Sequence, residues 1–343
     1  MSVETYMSLC LHDPAEGYYA THPGLGAAGD FITAPLVSQM FGELLGVWAI
    51  ETWVRLGRPN SLRLVEIGPG DGTLFADCLR VIRASTDFQA ACEPWLVETS
   101  APLRTLQGQA LSRGPRPIRW ATTLADIPDD APMIIIANEF LDCLPIRQTV
   151  WTGQSWVERN IGIDDGRTTA ATLRFVTGPP RPDVSPAAAV GTVREDSAAL
   201  AAFGKAVGAL IARVGGAALF IDYGRDASGF GDTLQALRNH RKEHPLANPG
   251  LADLTAHVDF PAFLAAAGRA GAETGPILTQ ASFLRALGIE TRANALVGKN
   301  PDAAGLIDRQ LQRLIAADRM GALFKAVCIH SAGLTPPAFE AGT

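Results

Sequence analysis

The chain has 343 residues, of which 47% are hydrophobic and 19% charged, a balance that excludes a disordered or fibrous protein and suits one large α/β domain with insertions or two smaller ones. Its formal charge of −6 argues against a nucleic-acid surface, which needs clustered lysine and arginine, and leaves room for a basic protein substrate. No apolar run reaches the roughly 18 residues of a membrane span and the first residues lack a secretory leader, so a cytoplasmic protein is expected.

Residues 1–35 are rich in Gly, Pro, Tyr and small residues, which predicts an irregular segment that could serve as a lid. Between Leu36 and Leu56 apolar positions recur at helical spacing until Gly57 and Pro59 stop them, which predicts one amphipathic helix. Short apolar runs then alternate with helical ones: Leu62 to Ile67, Leu74 to Arg83, Trp95 to Val97, Leu103 to Leu111, and Met133 to Ala137. That alternation is the signature of βαβ units and a mostly parallel sheet with helices on both faces.

A helix over Leu200 to Val214 leads into a further buried strand, Ala217 to Ile221. The polar stretch from Trp151 to Arg194 is expected to be a hairpin plus loop inserted into this sheet domain. Residues 225–262 form a long structured excursion, and the strand-like centre of Ala322 to His330 is expected to add an antiparallel edge strand. The resulting division is a lid and helix over 1–60, a core over 61–224 with an insertion at about 151–194, a substrate-side region over 225–290, and a closing helix and edge strand over 291–343.

After the first core strand comes Gly68-Pro69-Gly70-Asp71-Gly72, followed by a helix, the geometry of a ligand crossing the carboxyl end of a strand in a doubly wound sheet. The spacing is GxGxG, whereas a dinucleotide site expects GxGxxG, and no Walker-type loop is present. Glu66 lies one residue before the strand ends. Glu98, about 26 residues after Gly72, stands at the end of the next strand where a ribose diol would meet a carboxylate. The combination favours an adenosyl group, with an NAD-type site as the chemical rival and a plain tight turn with a solvated Glu98 as the structural alternative.

The strand Met133 to Ala137 runs into Asn138-Glu139-Phe140-Leu141-Asp142-Cys143-Leu144-Pro145, on the same side of a parallel sheet as the glycine loop. Two carboxylates and an amide there could grip a cationic planar group in paired hydrogen bonds. Equally, Asn138 and Asp142 could cap a following helix. The five cysteines, Cys10, Cys78, Cys92, Cys143 and Cys328, are odd in number and never in a CxxC pair, so they suggest neither a disulfide framework nor a zinc site. His240 and His244 have metal-compatible spacing, but nothing else around them resembles a zinc site, and a loop surface is the expectation.

The order of six segments carries more weight than any one of them. GDFITAPLVSQMFGE (Gly29 to Glu43), LVEIGPGDGTL (Leu64 to Leu74), ANEFLDCLP (Ala137 to Pro145), IDYG (Ile221 to Gly224), ADLTAHVDF (Ala252 to Phe260) and MGALFKA (Met320 to Ala326) together resemble the MidA-like methyltransferases, over nearly the whole chain. That family includes a mitochondrial complex I assembly-factor methyltransferase.

The resemblance implies a Rossmann-like class I methyltransferase core that binds S-adenosyl-L-methionine and needs no metal. For the mitochondrial relative it implies symmetric dimethylation of an arginine in a quinone-module subunit of complex I. Carried over by position, Gly68, Gly70 and Gly72 with Glu66 would cradle the methionine part, Glu98 the ribose, and Asn138, Glu139 and Asp142 the methyl-transfer site. Asp30, Thr33 and Ser38 would close over the crevice, and Asp222, Tyr223, His257 and Asp259 would line the acceptor side. The Ala-, Gly- and Arg-rich composition and the lack of a visible transit peptide point to a bacterial cytoplasm. An assembly chaperone on the same fold, and a small-molecule methyltransferase, are the competing functions.

Overall fold

The computed structural model describes residues 1–21, 33–112, 114, 116–164, 172–184 and 186–340. Helix α1 (Val3–His12) opens the chain, with the Ser2 hydroxyl accepting from the Thr5 amide as N-cap. The expectation of an irregular start is therefore corrected. Val3, Tyr6, Met7, Cys10 and Leu11 fall at helical spacing and all are buried, a short period overshadowed in the sequence by the glycines and prolines that follow. Short helices α2 (Tyr18–Thr21) and α3 (Ala34–Val37) precede α4 (Gln39–Arg55), which ends just before Gly57 turns the chain at φ +85°.

The core then runs β1 (Leu62–Ile67), α5 (Thr73–Ile82), α6 (Thr86–Ala91), β2 (Cys92–Val97), α7 (Ala101–Ala110), β3 (Arg119–Ala121) and β4 (Met133–Asn138). Next come β5 (Arg147–Trp151), β6 (Trp156–Asp164), β7 (Thr172–Pro180) and β8 (Val193–Asp196), which pair as a separate antiparallel sheet in the order β7-β6-β5-β8. This is more than the expected hairpin plus loop. Its strands are only half buried, so their sequence is too polar to announce them.

Helix α8 (Ala198–Val214) returns the chain to the main sheet as β9 (Gly216–Arg225). The excursion after it is a three-stranded sheet of β10 (Gln235–Arg238), β11 (Arg241–Glu243) and β12 (Asp253–Thr255). The remainder comprises β13 (Val258–Asp259), α9 (Phe260–Arg269), β14 (Glu273–Thr274), β15 (Leu278–Thr279), α10 (Gln280–Ala286), α11 (Ile289–Lys299), α12 (Ala304–Ile315), α13 (Met320–Leu323) and β16 (Phe324–His330). Strand β16 is antiparallel to β9 as expected, but it is not an edge, because β14 and β15 pair along its other side.

The main sheet has the order β14-β16-β9-β4-β1-β2-β3, with parallel pairing from β9 to β3. Strand β1 is buried along its whole length: Leu62 and Leu64 face the hydrophobic layer built on α4 and α5, and Val65 and Ile67 face the layer built on α8 and α9. Such two-sided burial explains the near-continuous apolar runs of β1, β4 and β9. The connections reverse direction between β1 and β4, so a crevice opens beyond the carboxyl ends of those two strands.

Candidate active site

A cavity of about 560 Å³ fills that crevice. Its floor is the loop after β1, where Gly68, Gly70 and Gly72 all take left-handed backbone at φ +64°, +54° and +86°. A Cβ at Gly70 would meet nothing within 4 Å among the described residues, and the residue lines the cavity, so its backbone is bared toward space that a ligand can fill. A Cβ at Gly68 would come within 3.1 Å of the Phe140 ring. Gly72 differs from both, because it N-caps α5 in left-handed backbone and lies outside the cavity lining, while a Cβ there would be in ordinary contact with Gln107 at 3.4 Å. It stands at the helix start beside the cavity rather than in the expected cradle.

Glu66 is 2% exposed and lines the cavity, and one of its carboxyl oxygens has no hydrogen-bond partner among the described residues. Burial, reinforced by the charge of Asp71, pushes its pKa well above the usual carboxylate range. A buried acceptor of this kind calls for a donor or cation from a ligand. Glu98, also in the lining, accepts from the Ser100 amide at 2.8 Å and from the Gln107 amide nitrogen at 3.1 Å. Gln107 donates in addition to the Gly70 carbonyl at 2.8 Å and accepts from the Trp120 indole at 2.9 Å. It is fully buried and ties the glycine loop to Glu98. The sequence reading missed it, although a lone amide on the inner face of α7 was the available signal.

At the other end, β4 leads into a turn rather than a helix, so Asn138 and Asp142 are not helix caps. Glu139 sits at φ +52°, a costly conformation for a side-chain-bearing residue and one that functional sites tend to hold. One Glu139 oxygen accepts from the Ala34 amide at 3.3 Å and from the Asn138 side-chain nitrogen at 3.1 Å. Burial, then the nearby charge of Asp142, pushes Glu139 up to about 7. Asp142 accepts from the Tyr223 hydroxyl at 2.5 Å, and burial, opposed by that hydrogen bond, pushes it up to about 6. Asn138, Glu139 and Asp142 all line the cavity.

Asp222 does not reach the cavity, contrary to expectation. It is fully buried, and one carboxyl oxygen accepts from the amides of Phe140, Leu141 and Asp142 at 3.0, 2.8 and 3.2 Å while the other accepts from the Tyr223 amide at 2.9 Å. It holds the turn that carries Glu139 and Asp142. Tyr223 likewise acts through Asp142 rather than facing an acceptor. Replacing Asp222 by Asn should lower stability by about 1–3 kcal/mol, the cost of buried amide donors left without an acceptor, read as a lower urea midpoint; an unchanged midpoint would mean that the turn is held otherwise.

Two more expected acceptor-side residues lie outside the lining. His257 bonds to Thr233 through its backbone amide and sets its ring edge-on to Tyr223 at 5.7 Å, and Asp259 N-caps α9 by accepting from the Ala262 amide at 3.0 Å. Ser38 is also a cap, accepting from the Met40 amide at 3.3 Å at the start of α4. These three are corrected from ligand contacts to structural roles. Thr33 does line the cavity, and Asp30 falls outside the described residues. His240 sits in the turn between β10 and β11 with φ +60°, and His244 accepts from the Leu246 amide through its ring nitrogen. Tyr19 and Asp253, neither singled out from the sequence, also line the cavity.

Among the described residues that line the cavity there are six carboxylates, Glu66, Asp71, Glu98, Glu139, Asp142 and Asp253, and no lysine, arginine or histidine. The space is built for cationic guests. Comparison with known proteins agrees in kind. Residues 44–277 match the family model described as "Putative S-adenosyl-L-methionine-dependent methyltransferase". The chain is 37% identical to the protein arginine methyltransferase NDUFAF7, mitochondrial, of Xenopus tropicalis, covering 95% of this chain and 81% of that one. It is 35% identical to the human protein of the same name, over 88% and 73%. A COG1565 superfamily member from Burkholderia thailandensis, solved with S-adenosyl-homocysteine bound, superposes with a TM-score of 0.85 at 29% identity, covering 100% of this chain and 91% of that one.

Proposed function

The chain belongs to this family of S-adenosyl-L-methionine-dependent methyltransferases, and we propose that it transfers the methyl group to an arginine side chain of a protein. The observation that carries the reading is the carboxylate-only charge of the cavity, which suits a sulfonium at one end and a guanidinium at the other. The names of the similar relatives support it. Bared backbone at Gly70, the partnerless oxygen of Glu66 and the oriented carboxylate of Glu98 fit the methionine and ribose parts of the cofactor. When bound, S-adenosyl-L-methionine supplies an electrophilic methyl on a positively charged sulfur.

A guanidinium is protonated at any ordinary pH, and its lone pairs are delocalised. Glu139 and Asp142 would draw the positive charge toward the nitrogens they pair with and leave electron density on the nitrogen that attacks. Glu139 would take the proton released from the methylated nitrogen, the bonding pair of the transferred methyl staying with sulfur. Apolar lining from Phe140, Leu103 and Leu124 keeps water from the path.

This role requires Glu139 ionised, and its pKa of about 7 sets the pH dependence. The turnover rate should rise with pH along an acid limb centred near 7 and level off above it. The stability sign is the opposite: because the folded pKa lies above the unfolded one, the contribution of Glu139 is full below the unfolded value and is lost as pH rises through about 7. A rate profile flat from about pH 5.5 to 8.5 would remove Glu139 from proton transfer.

As first acceptor we propose the arginine implied by the family resemblance, in a quinone-module subunit of respiratory complex I, met in a bacterial cytoplasm. Among the described residues no helix is long and apolar enough to cross a membrane. Mass spectrometry of that subunit from a strain lacking the gene should show the two-methyl increment lost, and a Gly70→Val allele should fail to restore it. Complex I assembly rescued in full by that allele would favour a chaperone instead.

A further inference from the structure

Two of the cavity's polar residues come from neither the glycine loop nor the turn after β4. Asp253 heads β12 in the excursion after β9, is 6% exposed, and accepts from the Tyr19 hydroxyl at 3.2 Å. Tyr19 lies on α2, in the N-terminal segment, stacked on His12 at 5.8 Å and met edge-on by Tyr18 at 5.4 Å. His12 in turn bonds to the Cys143 carbonyl at 3.2 Å, beside Asp142. Burial and the charges of Asp253 and Asp142 raise the Tyr19 phenol, so it stays protonated and remains a donor that orients Asp253. Two insertions thus meet at the methyl-acceptor end of the cavity and add a carboxylate to it.

We propose that Asp253, oriented by Tyr19, selects a guanidinium over an ammonium as the methyl acceptor. The inference rests on the arginine reading above and assigns its specificity. A guanidinium presents five N–H donors in one plane, an ammonium three on a compact point. Glu139 and Asp142 share one turn and can serve one side of the plane. A third carboxylate from a separate segment can serve a further edge beside its bond to Tyr19, and the buried Asn138 side-chain oxygen, which has no hydrogen-bond partner among the described residues, adds another acceptor. A lysine ammonium, with three donors on one point, cannot reach acceptors on both segments and the Asn138 oxygen together.

The test titrates full-length protein saturated with S-adenosyl-homocysteine with N-acetyl-arginine methylamide and N-acetyl-lysine methylamide, by NMR. Wild type should prefer the arginine derivative by roughly tenfold or more, the effect of one hydrogen bond to a charged group. Asp253→Asn should erase the preference and Tyr19→Phe should reduce it, both with S-adenosyl-homocysteine affinity retained as the control for folding. An unaltered preference in Asp253→Asn and Tyr19→Phe overturns the role of Asp253 and leaves the arginine reading standing. A wild type that binds neither derivative, or favours lysine, overturns both.

Discussion

Gly70→Val removes S-adenosyl-L-methionine binding while the protein stays folded. The backbone at Gly70 is left-handed, φ +54°, which a side-chain-bearing residue adopts at a cost of about 1–2 kcal/mol or more, and no atom of the described residues lies within 4 Å of the new Cβ. The fold therefore tolerates the change, whereas the cavity loses the space next to its floor. Gly70→Ala serves as the graded companion, because it places a single methyl at the same position at a smaller backbone cost than β-branched valine. Isothermal titration should show wild type binding, alanine weakened and valine silent, with cooperative melting in all. Undiminished binding by the valine variant would place the cofactor elsewhere.

Glu139→Gln slows methyl transfer by about 10²–10⁴-fold, the range for a positioned acid or base, with S-adenosyl-homocysteine affinity nearly unchanged. Glutamine keeps an oxygen for the Ala34 amide and has nearly the same shape, so the turn should hold. What it lacks is the charge that polarises the guanidinium and the site that takes its proton. Asp142→Asn should also slow the reaction. The double variant should fall short of the product of the two effects, since both act on one guanidinium. An additive pair, or a Glu139→Gln variant at wild-type rate, would mean that the carboxylates are not partners in one step.

The parallel core was legible because β1, β4 and β9 are buried on both faces and are therefore mostly apolar, their carboxylates, Glu66 and Asp222, lying toward the carboxyl ends where the chemistry is. The same logic brought Glu66, Gly68, Gly70, Glu98, Asn138, Glu139 and Asp142 to one cavity. Sequence order alone could not tell a residue that faces the cavity from one just behind it. Asp222 and Tyr223 end a core strand and look like ligand contacts, yet they act one step back through Asp142 and its turn. Asp259 and Ser38 were polar residues within family motifs, and each is consumed by a helix terminus. Gln107 and Asp253 were passed over because their meaning depends on contacts between segments far apart in the chain: Gln107 with Gly70, and Asp253 with Tyr19.

The most direct measurement incubates the purified protein and methyl-labelled S-adenosyl-L-methionine with extract from a strain lacking the gene, then hydrolyses the protein fraction and separates its amino acids. Label should appear in methylated arginine and be absent when Glu139→Gln replaces wild type. Label in methyl-lysine, or confined to small molecules outside the protein fraction, would contradict the arginine reading.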